Sequence, residues 1–289
     1  MADQGKGTLF FGQFLLERGA VSQEALDDAL QFQQEANHRI GELAVEKEYL
    51  QPHQVEKIFA EQKLRDEPFG VIALKFNFLK RAQLDDLLFS QAVNSTHLGE
   101  ALLVRGHLSP EQFVEHLKAY NNMTKERQRE LDALLRELPN RDVFAAVVKS
   151  LDRTFTRFTG RHARVNLLHT APPAFSAGIG FVLDVALHGG GRVSCLVRLA
   201  DDVGTVIAER LAASRDPQQH GEPTTTMDFC REFFEIMARY LGQALEDAGM
   251  AVAECSVGLC DEQCFASVRP ALEMTTPAGP MFVAVNVAL

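Results

Sequence analysis

Phe11-Gly12-Gln13-Phe14-Leu15-Leu16-Glu17-Arg18-Gly19 returns as Leu98-Gly99-Glu100-Ala101-Leu102-Leu103-Val104-Arg105-Gly106, and two more copies stand between them. Gly12, Gly41, Gly70 and Gly99 are each 29 positions apart. Three residues past each Gly come Leu15, Ala44, Ala73 and Leu102, then Leu16, Val45, Leu74 and Leu103. Val21, Leu50, Leu79 and Leu108 form a further apolar column. So do Leu26, Val55, Leu84 and Phe113, and after them Leu30, Phe59, Leu88 and Leu117. A polar column, Gln33, Gln62 and Gln91, ends in Tyr120. Columns this deep define a repeat architecture. Each unit reads as a short helix, a turn and a longer helix. The turn falls at Gly19, Glu48, Asn77 and Gly106, where Gly and Asn suit a left-handed helix end. Ser22 and Ser109 occupy N-cap positions, and Pro110 follows at the first helical position. One unit cannot bury both of its apolar faces, so stacked units are expected to form one all-α array over residues 1–123.

The glycine-centred motifs resemble the N-terminal (MshE-type) domain of type II secretion and type IV pilus assembly ATPases. Some members of that family bind cyclic di-GMP across two adjacent motifs, through a leading Arg and the backbone around the Gly. Here the second copy keeps that residue, in Arg39-Ile40-Gly41, while the others carry Phe10, Pro68 and His97. An arginine fork can bind phosphate or a guanine edge in bidentate fashion. The resemblance thus makes Arg39, Gly41, Gly12, Gly70 and Gln62 the candidate cyclic di-GMP contacts, with the first or third copy adjoining the second. The alternative is a protein-docking module whose glycines serve close helix packing.

Beyond the array, Thr124 to Leu138 is a charged amphipathic segment. Thr124 is its expected N-cap, Pro139-Asn140 its stop, and Leu131, Leu134, Leu135 and Leu138 its narrow apolar stripe. It is expected to link the two domains over residues 124–140. Arg141 to Phe158 then reads as a helix closed by Gly160. Strands are expected at Ala163–His169, Ile179–Leu187, Arg192–Leu199, Ala251–Leu259, Ala271–Thr276 and Met281–Leu289. Breaks fall at Pro172-Pro173 and around Pro277-Ala278-Gly279-Pro280. Asp201-Asp202 is expected to cap a helix through Ala213, and a polar loop from Ser214 leads to the longest helix, Met227–Ala248. His188-Gly189-Gly190-Gly191 is followed by another strand, which suits a hairpin turn; a phosphate loop would need a helix start. Residues 141–289 are therefore an α+β domain with a mostly antiparallel sheet.

That order of elements resembles the CheC/CheX family of response-regulator phosphatases. The family signature D-x-x-x-E-x-x-N aligns with Asp228-Phe229-Cys230-Arg231-Glu232-Phe233-Phe234-Glu235. In the family, the Glu pairs with a regulator lysine and the Asn amide orients water against an aspartyl phosphate. Glu232 matches the acid, and Glu235 stands where the amide belongs. A carboxylate offers no N–H and brings negative charge towards an anion, and Arg239 replaces a small residue. Glu232 and Glu235, three apart, share a helix face, where paired acids suit acid/base work or solvation alike.

Composition sets the outer limits. The formal charge is −10, which opposes a nucleic-acid polymer as partner. No run approaches a membrane span, and polar Met1–Gly7 lacks a signal core, so a cytoplasmic protein is expected. Five cysteines, Cys195, Cys230, Cys255, Cys260 and Cys264, suit reduced thiols. Cys260 and Cys264 have no second ligand pair for zinc, so no metal or cofactor is expected. The expectation is a signalling adaptor of a chemotaxis, motility or secretion pathway, homodimeric by resemblance. Its CheX-like domain docks a response regulator or other partner without catalysis. The alternatives are an active phosphatase of a CheY-like regulator and a ligand-free scaffold.

Overall fold

The computed structural model describes residues 10–94, 96–138, 140–169, 178–213, 225–261 and 270–288. The chain divides into two compact units between Glu126 and Arg127. Among the described residues the first unit contains helices and no strand: α1 (Phe11–Glu17), α2 (Gln23–Ala36), α3 (Ile40–Glu46), α4 (Pro52–Leu64), α5 (Phe69–Lys75), α6 (Arg81–Asn94), α7 (Leu98–Val104) and the start of α8 (Pro110–Arg136). The short helices all have the same length and begin one residue before their glycine. Each starts from an extended residue, Phe10, Arg39, Pro68 or His97. Gln13, Glu42 and Glu100 reach back to accept from the backbone N–H of Phe10, Arg39 and His97 at 3.2, 2.8 and 2.9 Å. Pro68 has no N–H to offer, and Val71 stands at the corresponding position of that copy. This position is thus defined by backbone geometry, which proline's fixed φ already satisfies.

The turn column is left-handed in every copy, at Gly19, Glu48, Asn77 and Gly106, with φ of 64°, 59°, 55° and 76°. Ser22 accepts from the Ala25 amide and Ser109 from that of Gln112. The columns Leu15/Ala44/Ala73/Leu102 and Val21/Leu50/Leu79/Leu108 are buried throughout.

The order of pairing differs from a sequential stack. α2 packs on α7, whereas α3 packs on α6 and α4 on α5, so the first copy partners the fourth and the second partners the third. Two separate cores result. One gathers Phe14, Leu15, Leu26, Leu102 and Tyr120; the other gathers Leu43, Leu50, Ile58, Ile72 and Leu87. Thr124 also departs from expectation. It lies inside α8, where its hydroxyl donates to the Tyr120 carbonyl one turn earlier at 2.8 Å. The preceding helix never breaks, so no N-terminus exists there to cap.

The second unit carries the rest of α8, then α9 (Arg141–Thr159), β1 (Arg164–His169), β2 (Ile179–Leu187), β3 (Arg192–Leu199), α10 (Asp201–Ala212), α11 (Thr226–Asp247), β4 (Val252–Leu259), β5 (Ala271–Thr276) and β6 (Gly279–Ala288). It is thus mixed helix and antiparallel sheet. The six strands lie in the order β1-β5-β6-β3-β2-β4, antiparallel at every pairing. Gly189 and Gly190, at φ of 102° and 97°, turn the β2–β3 hairpin. Alternate residues of the strands point one way. Phe181, Leu183, Val185, Cys195, Val197, Val283 and Val285 are buried, and the Phe181 ring lies 4.8 Å from that of Phe234 on α11. Helices α9, α10 and α11 pack on one another, with α11 over β2 and β4.

Ala200, not Asp201, is the N-cap of α10, and it offers no side-chain bond. Asp201 and Asp202 fall in the first turn, where their negative charge complements the positive end of the helix dipole. The Pro172-Pro173 break, most of the 214–226 loop and Cys264 lie outside the described residues. Among the described residues no helix is long and apolar enough to cross a membrane.

Candidate functional site

Helix α11 is fixed at its start by Thr225. The Thr225 hydroxyl accepts from the Asp228 amide, and Asp228 Oδ2 accepts from the Thr225 amide at 3.2 Å and from its hydroxyl at 2.7 Å. Asp228, the first residue of the signature, therefore closes a capping box. Cys230, Phe233, Phe234, Ile236, Met237, Tyr240 and Leu241 bury the inner face of α11. Glu232 is half-buried, while Glu235 and Arg239 are exposed. The spacing brings all three to the outer face. Glu235, Ala238 and Arg239 line a groove of about 230 Å³ beside β4, completed by Cys255, Ser256 and Val257. On the same helix Gly242 allows β4 a close approach: a Cβ there would stand 2.7 Å from Cys255 Sγ.

The groove offers a carboxylate, a guanidinium, a hydroxyl and a thiol, and no carboxamide. Burial pushes the Cys255 thiol up, and the Glu246 carboxylate adds to that while Arg239 opposes it. Burial also pushes the Cys230 thiol up to about 12 and raises that of Cys195 further. Cys195 and Cys230 are core thiols, Cys255 is half-buried, and the four described cysteines are all free. Among the described residues no cluster of three or more His, Cys, Asp or Glu side chains could hold a metal ion.

Helix α11 also makes a contact that the sequence did not single out. Arg157 Nη1 on α9 donates to the Tyr240 hydroxyl at 2.8 Å, and the guanidinium lies over the Tyr240 ring at 5.1 Å. Burial raises the Tyr240 pKa, while Arg157, Arg239 and Arg153 each act to lower it. The meeting of Arg157 on α9 with Tyr240 on α11 is tertiary and was not visible in the sequence.

In the array, Arg39 is half-buried at the N-cap of α3. Gly41, Gly70, Gln62 and Arg39 belong to the pair formed by copies two and three; Gly12 belongs to the other pair. Each glycine faces a side chain fourteen residues on. An added Cβ would stand 2.9 Å from Leu26 at Gly12, 3.0 Å from Val55 at Gly41 and 2.6 Å from Leu84 at Gly70; at Gly99 it would overlap the Phe113 ring. Gln62 is buried and donates to the Glu67 carbonyl at 3.1 Å. Close packing thus accounts for the glycine column.

No protein-family profile matches the chain, and no curated protein matches it. Solved structures do show similarity. A chemotaxis protein CheX from Desulfovibrio desulfuricans is 15% identical over 50% of this chain and 98% of its own, with a TM-score of 0.36. A CheC-like superfamily protein from Shewanella is 10% identical over 52% and 100%, with a TM-score of 0.40. The CheX-CheY-BeF3-Mg+2 complex from Borrelia burgdorferi is similar at 9% identity over 50% and 97%, with a TM-score of 0.36.

Proposed function

We propose that this chain is a cytoplasmic signalling adaptor of a chemotaxis, motility or secretion pathway. Residues 141–289 form its CheX-like domain, which docks a CheY-type response regulator through the outer face of α11 without dephosphorylating it. Residues 1–123 dock a second protein, and residues 124–140 join the two. The observation that carries this is the chemistry of the groove. Glu235 lies exposed beside Arg239 where the signature of residues 228–235 calls for an amide. A carboxylate there cannot donate to water or to the phosphoryl group, and it repels the anion that hydrolysis must stabilise. Docking survives that exchange, because shape and the remaining charges of α11 are enough for it. A homodimer joined at sheet edges belongs to the same proposal. The outer strand β4 contains Glu254 as its one charged residue and no Lys or Pro, so little guards it against edge pairing.

The decay of a phosphorylated CheY-type receiver, followed with the full chain and with Glu235→Asn, tests the function. The adaptor should leave the decay at its intrinsic rate, and the Asn variant should speed it. Acceleration by the unsubstituted chain would instead make this a working phosphatase.

A further inference from the structure

The four copies of the helical array act as controls for one another. At one repeat position the long helices carry Asp28, Lys57, Asp86 and Glu115, and three of these meet rings from the turn of the paired copy. Asp86 accepts from Lys47 at 2.7 Å and from the Tyr49 hydroxyl at 3.0 Å. Asp28 is bound by Arg105 and by His107, the latter at 2.6 Å. Lys57 lies over the Phe76 and Phe78 rings. Glu115 is the exception. The turn that corresponds to it, in the first copy, supplies Arg18 and Ala20. Ala20 has neither ring nor donor, and the Arg18 guanidinium lies over Phe14 at 4.9 Å. Glu115 is exposed, and no hydrogen bond or ion pair from a described residue engages it. Phe11 stands 6.1 Å from Phe113 and 5.2 Å from Tyr120. Helices α1 and α8 thus meet through rings, and their backbones approach less closely than those of α2 and α7.

The surface beside Glu115 differs in step with this. Asp27, Glu56 and Asp85 hold the preceding position in the other copies; here it is Val114, 47% exposed. Val114 and Pro110 floor an open hollow of about 620 Å³, rimmed among the described residues by Glu111, Glu115 and Lys118. Glu111 accepts from the Ser109 hydroxyl at 2.8 Å, which leaves Glu115 as the open acceptor. An apolar floor beside an unengaged carboxylate fits a ring that carries an O–H or N–H. The ring covers Val114, and its donor meets Glu115. Resting on the reading that residues 1–123 dock a second protein, we propose that this hollow on α8 is the docking point and takes a tyrosine or histidine side chain of the partner. The partner thus supplies from outside what Tyr49 and His107 supply within the array, as a ring anchored in a pocket.

The array's own turn provides the probe: the capped peptide Lys-Glu-Tyr-Leu, the sequence of residues 47–50, with Lys-Glu-Ala-Leu as its control. Titrated into the full chain and followed by amide NMR shifts, the tyrosine peptide should bind saturably in the millimolar range and move the amides from Glu111 to Lys118. The alanine peptide should not. Glu115→Ala, at an exposed position, should weaken binding about tenfold, the worth of one hydrogen bond to a charged group. Ala20→Tyr restores the ring from within, so it should abolish peptide binding and raise the urea midpoint. Equal binding of the two peptides, no saturable binding, or binding unchanged in both variants overturns the inference. So does a dimer of the full chain that Glu115→Ala dissociates, because a second copy would then fill the hollow. The docking reading fails separately, if in-cell crosslinking from the exposed Leu30, Phe89, Val104 and Val114 traps no second protein.

Discussion

The two pairs in the helical array solve one packing problem with different side chains. In the pair of copies two and three the bonds are reciprocal. Gln62 donates to the Glu67 carbonyl and Gln91 to the His38 carbonyl, each three residues before the other copy's glycine. In the pair of copies one and four, Gln33 makes the equivalent bond to Thr96 at 3.0 Å. Tyr120, the fourth member of that column, instead packs its ring against Phe11 and Phe14 at 5.2 and 5.4 Å. The charged clasps behave likewise. Asp86 accepts from Lys47 and Tyr49, and Asp28 pairs with Arg105 and His107. At the same repeat position Lys57 lies over the Phe76 and Phe78 rings. The glycines and their apolar partners hold steady while the polar columns drift. What every copy shares is packing, and a lone arginine in the drifting column before the glycine carries no shared ligand requirement.

Truncation should expose this contrast most strongly. Tyr120→Ala should destabilise the pair of copies one and four by about 3 kcal/mol, in the range of buried aromatic losses. Gln91→Ala should cost the other pair about 1 kcal/mol, the worth of one hydrogen bond. Native-state hydrogen exchange of the α7 and α3 amides reads the two effects separately, and equal losses would erase the contrast. Next in size is Gly99→Ala. The ring of Phe113 cannot bend away, so overpacking of about 2 kcal/mol should outweigh the gain of about 1 kcal/mol in helix propensity. Gly41→Ala, facing the smaller Val55, should come out near neutral, with both variants compared by urea denaturation. Glu48→Gly should raise stability by about 1 kcal/mol, because a residue with a Cβ is strained at φ 59°; an unchanged urea midpoint would deny that strain.

The smallest effect concerns acid. Hydrogen bonds from Arg105 and His107 hold the Asp28 pKa at about 2, below its usual 3.8. The contribution of this clasp is full above the unfolded value and is lost as pH falls from about 4 through about 2. Protection of α2 and α7 amides should therefore decline over that window, and Asp28→Asn should flatten the decline. Lys47 and Tyr49 also lower the Asp86 pKa, so a weaker parallel decline is expected in α3 and α6.

Much of this fold was legible because its signals are local. The bounds of β2, β3 and β5 follow from alternation and flanking glycines, and the left-handed column was set by its spacing even where Glu48 occupies it. The pairing order was not legible, since every copy presents the same apolar columns and sequence alone does not choose among partners. Thr124 misled because a hydroxyl can cap a helix or bond backwards within one, and the choice rests on whether the preceding turn ends. Asp228 was read as part of a chemical signature, yet its carboxylate is spent on Thr225. The Arg157–Tyr240 contact joins residues 83 positions apart, and no local pattern announces it.

Isothermal titration of the full chain with cyclic di-GMP, alongside Arg39→Ala, tests most directly whether the repeated columns encode packing alone. At high protein concentration no saturable heat is expected from either protein. Micromolar binding that disappears in Arg39→Ala would contradict the account and make the second copy a ligand site.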